Sequence, residues 1–259
     1  DENQRFSVED VVLPDPGVEN VVVKTACSGV SIGTEFALIQ NKISWGPYPL
    51  CTGYQGVGVV EHVGEEVNGF EVGAKVYCRD NKVIELKSGQ SVSAVAGTHC
   101  SHAVIDPNNT HGLALLPDGV DEEAASMFVM PAVGLFGADM ANPRMGEVVV
   151  VYGSGLIGLG VVAACSHRGC VVVAIDVEEQ QLEIARQLGA DYLINGSKCN
   201  AGEKLRKIAP EGADVVFEST GIPECRRWSC AARSGSSCCR ETTARSRFRT
   251  TFCRRTEKD

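Results

Sequence analysis

The chain carries Gly153-Ser154-Gly155-Leu156-Ile157-Gly158 directly after the apolar run Val148-Val149-Val150-Val151-Tyr152. Glycines at this spacing let a strand turn tightly, bring the backbone close to a pyrophosphate and seat the next helix against the strand. The helix N-terminus then offers free N–H groups to the phosphates. A second β-type run, 171–175, ends in Asp176. It lies about 20 residues past the glycines, where a dinucleotide site needs a carboxylate for the adenosine ribose hydroxyls. Asp176 would accept from a free 2′-hydroxyl and repel a 2′-phosphate, and Val177-Glu178-Glu179-Gln180 offers no arginine to neutralise one. NAD is therefore expected over NADP. The competing readings are a structural glycine turn and an acid that caps the helix beginning near Glu178. Thr220 and Gly221, just past the β-type run 214–217, join the six residues of the glycine turn and Asp176 as expected cofactor-binding residues.

The patterning around these residues predicts the elements that hold them. Residues 1–128 contain short β-type runs broken by glycine and proline, among them 21–24, 56–60 and 74–77. That predicts a small β-barrel-like domain. From 129 to 224 strands alternate with helices: 181–188 has helical apolar spacing and stops at Gly189, and 191–194 and 214–217 read as strands. This is the rhythm of a parallel sheet, so the expected fold is α/β, a β-barrel domain followed by an incomplete doubly wound sheet. No apolar run of transmembrane length, secretory signal or internal repeat is present; a cytoplasmic location without a membrane partner is expected.

The 12 cysteines include no Cys-x-x-Cys, and the spacings Cys165/Cys170, Cys225/Cys230 and Cys238-Cys239 outline no compact four-ligand zinc lobe. Reduced thiols are the default, with Cys165 packing as a small apolar residue.

Charge divides the chain. Overall it carries 24 Lys and Arg against 33 Asp and Glu, whereas residues 225–259 carry ten against three and no Val, Ile, Leu or Met. Such a tail is not expected to supply core strands. Ser codons beginning TC and Cys codons beginning TG, as in Ser236-Ser237-Cys238-Cys239, place T at the centre of the shifted codon when read two nucleotides out of frame. Every such codon encodes an apolar residue. The tail is expected to be out of frame and the sheet to be cut short; the competing reading is a genuine disordered basic tail that binds a polyanion.

With these residues in hand, the chain resembles the medium-chain dehydrogenase/reductase family, in which a GroES-like catalytic domain precedes a Rossmann domain. The likeness runs over about residues 4–224. It is carried by the glycine turn, by Gly58-Val59-Val60-Glu61-His62-Val63-Gly64, Gly69-Phe70-Glu71-Val72-Gly73-Ala74-Lys75-Val76, Leu116-Pro117-Asp118-Gly119-Val120 and Gly189-Ala190-Asp191, all in the family's order. The family's zinc-ligand cysteine falls on Ile32 of Ile32-Gly33-Thr34-Glu35. Its Gly-His-Glu falls on Gly53-Tyr54-Gln55, and a third ligand falls near Met127-Phe128-Val129-Met130. The resemblance thus implies a chain without zinc. Together with Gly97-Thr98-His99-Cys100-Ser101-His102, these segments are similar to the zinc-free branch that contains bacteriochlorophyllide a dehydrogenase.

What this resemblance implies is NAD-dependent hydride transfer between a small-molecule alcohol and its carbonyl, in a homodimer, without nucleic acid. Truncation would impair both turnover and dimerisation. Thr34 matches the family's hydroxyl relay position and Tyr54 replaces a metal ligand beside it, so both are candidates for hydrogen-bonding the reacting oxygen. Their competing roles are a cap for a helix beginning near Glu35 and a packing aromatic. His99 and His102 are weaker candidates for proton relay. An NAD-binding protein without turnover is the remaining alternative.

Overall fold

A computed structural model describes residues 3–81, 84–109 and 112–220, and the backbone of 251–254. Contacts divide the chain into two compact units, Asp1–Val129 and Met130–Asp259.

The first unit begins with β1 (Val11–Val12), β2 (Val21–Ser28), α1 (Ile32–Ile39), β3 (Leu50–Cys51), β4 (Gly56–Val63) and β5 (Lys75–Cys78). It continues with β6 (Ile84–Leu86), β7 (Ser91–Ala94), β8 (His102–Ile105), β9 (Leu113–Leu115) and the short α2 (Glu122–Ala125). Antiparallel strands form a five-stranded sheet in the order β8-β2-β4-β5-β9, and a smaller sheet runs β1-β6-β7-β3. Inward-facing Val21, Val23, Val60, Val76, Ala103 and Ile105 close the core of the larger sheet. Their alternation with outward residues is the period-two pattern of a half-buried strand. Ser31 caps α1, its hydroxyl accepting from the Thr34 N–H. The cap that sequence alone could have assigned to Thr34 thus belongs to Ser31, and α1 begins at Ile32 rather than near Glu35.

In the second unit α3 (Val129–Ala141) precedes β10 (Val148–Tyr152), α4 (Leu156–His167), β11 (Val171–Asp176), α5 (Glu179–Gln187), β12 (Tyr192–Asn195), α6 (Ala201–Ile208), β13 (Val215–Glu218) and β14 (Thr251–Arg254). The sheet order is β12-β11-β10-β13-β14. The first four strands are parallel. The chain therefore moves outward from β10 to β12 and then returns to β10's other side, which is the reversal that opens a ligand crevice at the carboxyl ends of a doubly wound sheet. Val149, Val151, Val172, Ala174 and Phe217 pack on one face, and Val150, Val173, Ile175, Ile194 and Val216 on the other. Burial on both faces explains why β10 reads as an unbroken apolar run. Cys165 lies fully buried in the first of these layers, and burial pushes its thiol up to about 12. No helix among the described residues is long and apolar enough to cross a membrane.

β14 lies at the edge of the sheet. Residues 251–254 pair antiparallel with β13, although the tail has no Val, Ile, Leu or Met. A ladder is made by backbone N–H and C=O groups, and Thr and Phe suit strands, so aliphatic side chains are not a precondition. The out-of-frame reading concerns residues 225–259, which apart from the backbone of 251–254 lie outside the described residues.

Candidate active site and dinucleotide turn

The glycine turn is built by steric exclusion. Gly153 has φ +85°, and a Cβ there would come within 3.0 Å of Thr220 Cγ2. A Cβ on Gly158 would sit 1.8 Å from the Gly153 carbonyl oxygen, whereas one on Gly155 would meet nothing within 4 Å. The two outer glycines thus make the close approach of strand and helix, and the middle one faces space that no described residue fills. Gly155 is the N-cap of α4, without a side-chain cap, and no acidic residue lies in the first turn, Leu156 and Ile157 included. The turn therefore leaves its helix-terminal N–H groups to an anionic group.

Asp176, at the end of β11, holds this turn from below. Its Oδ2 accepts from the Ser154 N–H at 2.5 Å, and its Oδ1 accepts from the N–H groups of Val177 and Glu178 at 2.7 and 3.0 Å. Asp176 thus links the glycine turn to the segment entering α5 but does not cap that helix, whose N-cap is Glu178 with no side-chain cap bond. Ser154 is fully buried and its hydroxyl has no partner among the described residues. Thr220 donates its N–H to Glu218 Oε1 at 2.6 Å beside the turn; Gly221 lies outside the described residues.

In the first unit, Thr34 and Tyr54 are brought together. The buried Tyr54 phenol hydrogen-bonds with the Ser31 and Thr34 hydroxyls. Burial pushes the phenol's pKa up against the lowering effect of these bonds, so Tyr54 remains a protonated donor at neutral pH. Arg79 lies 5.7 Å from the Tyr54 ring centroid, within cation–π range. Glu35, 3% exposed, accepts from the Ser31 N–H at 2.8 Å and pairs with His99 Nε2 at 2.9 Å. His99 Nδ1 meets the Ser28 hydroxyl at 2.8 Å. His102 instead pairs with Glu61 at 3.3 Å, both side chains well exposed. The sequence reading missed Glu35, Ser31 and Ser28; Ser31, a good N-cap residue just before the helical run, was a signal for one of them.

Burial would raise the Glu35 carboxyl, but its bonds to His99 and Ser31 hold it below the usual glutamate range. The resulting stability is fully present above the unfolded-state value of about 4.3 and is lost as pH falls through the lower folded value. Acid unfolding monitored by circular dichroism should therefore lose an acid-side step in Glu35→Gln.

Comparison with known proteins places this geometry. The alcohol dehydrogenase GroES-like domain model matches residues 17–118, and the zinc-binding dehydrogenase model matches residues 157–234. L-threonine 3-dehydrogenase of Shewanella putrefaciens is 30% identical over 233 residues, covering 83% of this chain and 67% of its own length. The chain belongs to the medium-chain dehydrogenase/reductase family. It is an alcohol dehydrogenase-like oxidoreductase with a GroES-like domain and a Rossmann-type parallel sheet. The L-threonine 3-dehydrogenase of Serratia proteamaculans gives the same identity and coverage. Among solved structures, an alcohol dehydrogenase zinc-binding domain protein from Burkholderia ambifaria aligns with TM-score 0.75 at 21% identity, over 88% of this chain and 70% of that one.

These matches correct the expectation of a zinc-free chain, since the model that fits residues 157–234 is that of the zinc-binding dehydrogenases. That expectation rested on Ile32, Tyr54 and the segment 127–130. A zinc site requires donors that converge in space, and three aligned positions do not account for the chain's other His, Cys, Asp and Glu residues. Among the described residues no group of three or more His, Cys, Asp or Glu could hold a metal ion.

Proposed function

We propose that this medium-chain dehydrogenase/reductase interconverts a secondary alcohol and its carbonyl with NAD(H), using residues 129–224 for the cofactor and 1–128 for the substrate, as a cytoplasmic homodimer. The observation that carries the cofactor reading is the turn at Gly155, open where a side chain would project and closed by backbone at Gly153 and Gly158. Gly153, Ser154, Gly155, Leu156, Ile157 and Gly158 would receive the pyrophosphate, with Thr220 and Gly221 beside them. Asp176 would accept from the ribose hydroxyls with the lone pairs its backbone contacts leave free. The bound nicotinamide supplies or accepts the hydride.

Thr34 and Tyr54 hold the reacting oxygen in this proposal. The phenol donates to a carbonyl oxygen during reduction, and the Thr34 and Ser31 hydroxyls orient it. Substrate class follows from the relatives, whose named substrate, L-threonine, is oxidised at a carbon bearing a secondary hydroxyl. Impaired turnover, read from the composition of residues 225–259, belongs to the same proposal.

Calorimetric titration with NAD(H) and NADP(H), followed by turnover of L-threonine, 2-propanol and 2,3-butanediol, tests it. Wild type should bind NAD(H) at least about tenfold more tightly, consistent with the roughly 1.5–3 kcal/mol of a hydrogen bond to a charged group. Asp176→Asn retains an acceptor for the Ser154 N–H and removes the charge, so it should narrow that gap. Equal wild-type affinity for both cofactors would overturn the assignment of Asp176.

A further inference from the structure

Ser28, His99 and Glu35 form a continuous array in the first unit that leads to the Thr34 and Tyr54 hydroxyls. Ser28 ends β2, and its Oγ lies 2.8 Å from His99 Nδ1. His99 Nε2 donates to Glu35 Oε2 at 2.9 Å, and Glu35 Oε1 accepts the Ser31 N–H at 2.8 Å. The Thr52 hydroxyl also bonds to Glu35. Ser31 Oγ then accepts from the Thr34 N–H at 3.5 Å, and both hydroxyls meet Tyr54. Gly53 seats the histidine: its φ is +98°, and a Cβ there would lie 2.6 Å from His99 N and 2.7 Å from His99 Cγ. The same turn carries Tyr54, so the seat of His99 and the position of the phenol are tied covalently.

We propose that His99 is a positioning residue for the dehydrogenase reaction, fixing through Glu35 the first turn of α1 so that the Ser31 and Thr34 hydroxyls stay on Tyr54. The proposal rests on the reading that Thr34 and Tyr54 hold the reacting oxygen. A buried carboxylate keeps its charge only with compensating donors. The titratable groups facing Glu35 are His99, Cys51 and Tyr54, with Cys100 beside Cys51 and Arg79 over the Tyr54 ring. Burial pushes the Cys51 thiol up to about 12 and raises the Tyr54 phenol, so neither adds charge at neutral pH. His99 is the partner whose charge can match the carboxylate directly. The array requires ionised Glu35, so it is intact above the depressed folded value and fails as pH falls through it. Without His99, burial is opposed only by neutral donors, and the failure moves to higher pH.

The test uses the full chain with 13C-labelled glutamate, following Glu35 Cδ through a pH titration, alongside the pH profile of kcat for NAD+ reduction with the best alcohol of the panel above. His99→Gln retains an amide donor and removes the charge. It should raise the Glu35 midpoint by about one pH unit or more and move the acid limb of kcat the same way. Ser28→Ala, which leaves the histidine in place, should move both by less and serves if His99→Gln does not fold. An unmoved midpoint overturns the proposal, as does a moved midpoint with an unmoved acid limb. Full turnover in Thr34→Val and Tyr54→Phe overturns the reading of the reacting oxygen and the positioning role with it. A fixed acid limb while those variants are impaired overturns the role of His99 alone.

Discussion

Gly158→Ala is expected to lose NAD(H) binding by more than about tenfold and to destabilise the dinucleotide unit, because the new Cβ would fall 1.8 Å from a backbone oxygen. No rotamer relieves a clash with backbone, so either α4 retreats from β10 or the turn opens. Overpacking of this kind costs about 1–3 kcal/mol and occasionally more. For a chain of this size that corresponds to roughly 2–12 °C in Tm. Gly155→Ala is the matched control. Its φ of −72° suits alanine and its Cβ would meet nothing within 4 Å, so Tm should hold while the methyl intrudes on the space assigned to the pyrophosphate. Thermal unfolding and cofactor titration on both variants separate the two effects. Unchanged Tm and affinity in Gly158→Ala would mean that strand and helix do not approach as described.

Tyr54→Phe is expected to lower kcat by about 10²–10⁴, the range for losing a positioned proton donor, with little change in Tm. The ring still fills its buried site under Arg79, and only the hydroxyl is removed from its bonds with Ser31 and Thr34. Thr34→Val should act in the same direction. The double variant should lose less than the product of the single losses, because the two hydroxyls share one hydrogen-bonded unit. Steady-state kinetics with saturating NAD+ decides this. A Tyr54→Phe enzyme with wild-type kcat would leave the phenol as a packing group.

Much of the second unit was legible in sequence because its signals are local. The four-valine run, the glycine spacing and the position of Asp176 each reflect a constraint within a few residues: two buried sheet faces, a turn that excludes Cβ atoms, and a strand end. The alternation of strands and helices announces a parallel sheet, but the order β12-β11-β10-β13, with its reversal at β10, is set by the tertiary structure. The edge pairing of Thr251–Arg254 was not legible, since backbone ladders leave no aliphatic signature.

The first unit shows the opposite case. Sequence alone made Thr34 and Tyr54 candidates, and His99 and His102 weaker ones that it could not tell apart. It also favoured a zinc-free chain, which the family matches correct. Only the tertiary structure separated the histidines, setting His99 against Ser28 and the buried Glu35 in part-buried bonds while leaving His102 on an exposed glutamate. These partners are 64 and 71 positions apart in the chain. Periodicity and motif spacing carry information over one turn or one strand, whereas a buried charge finds its partner wherever the fold closes around it.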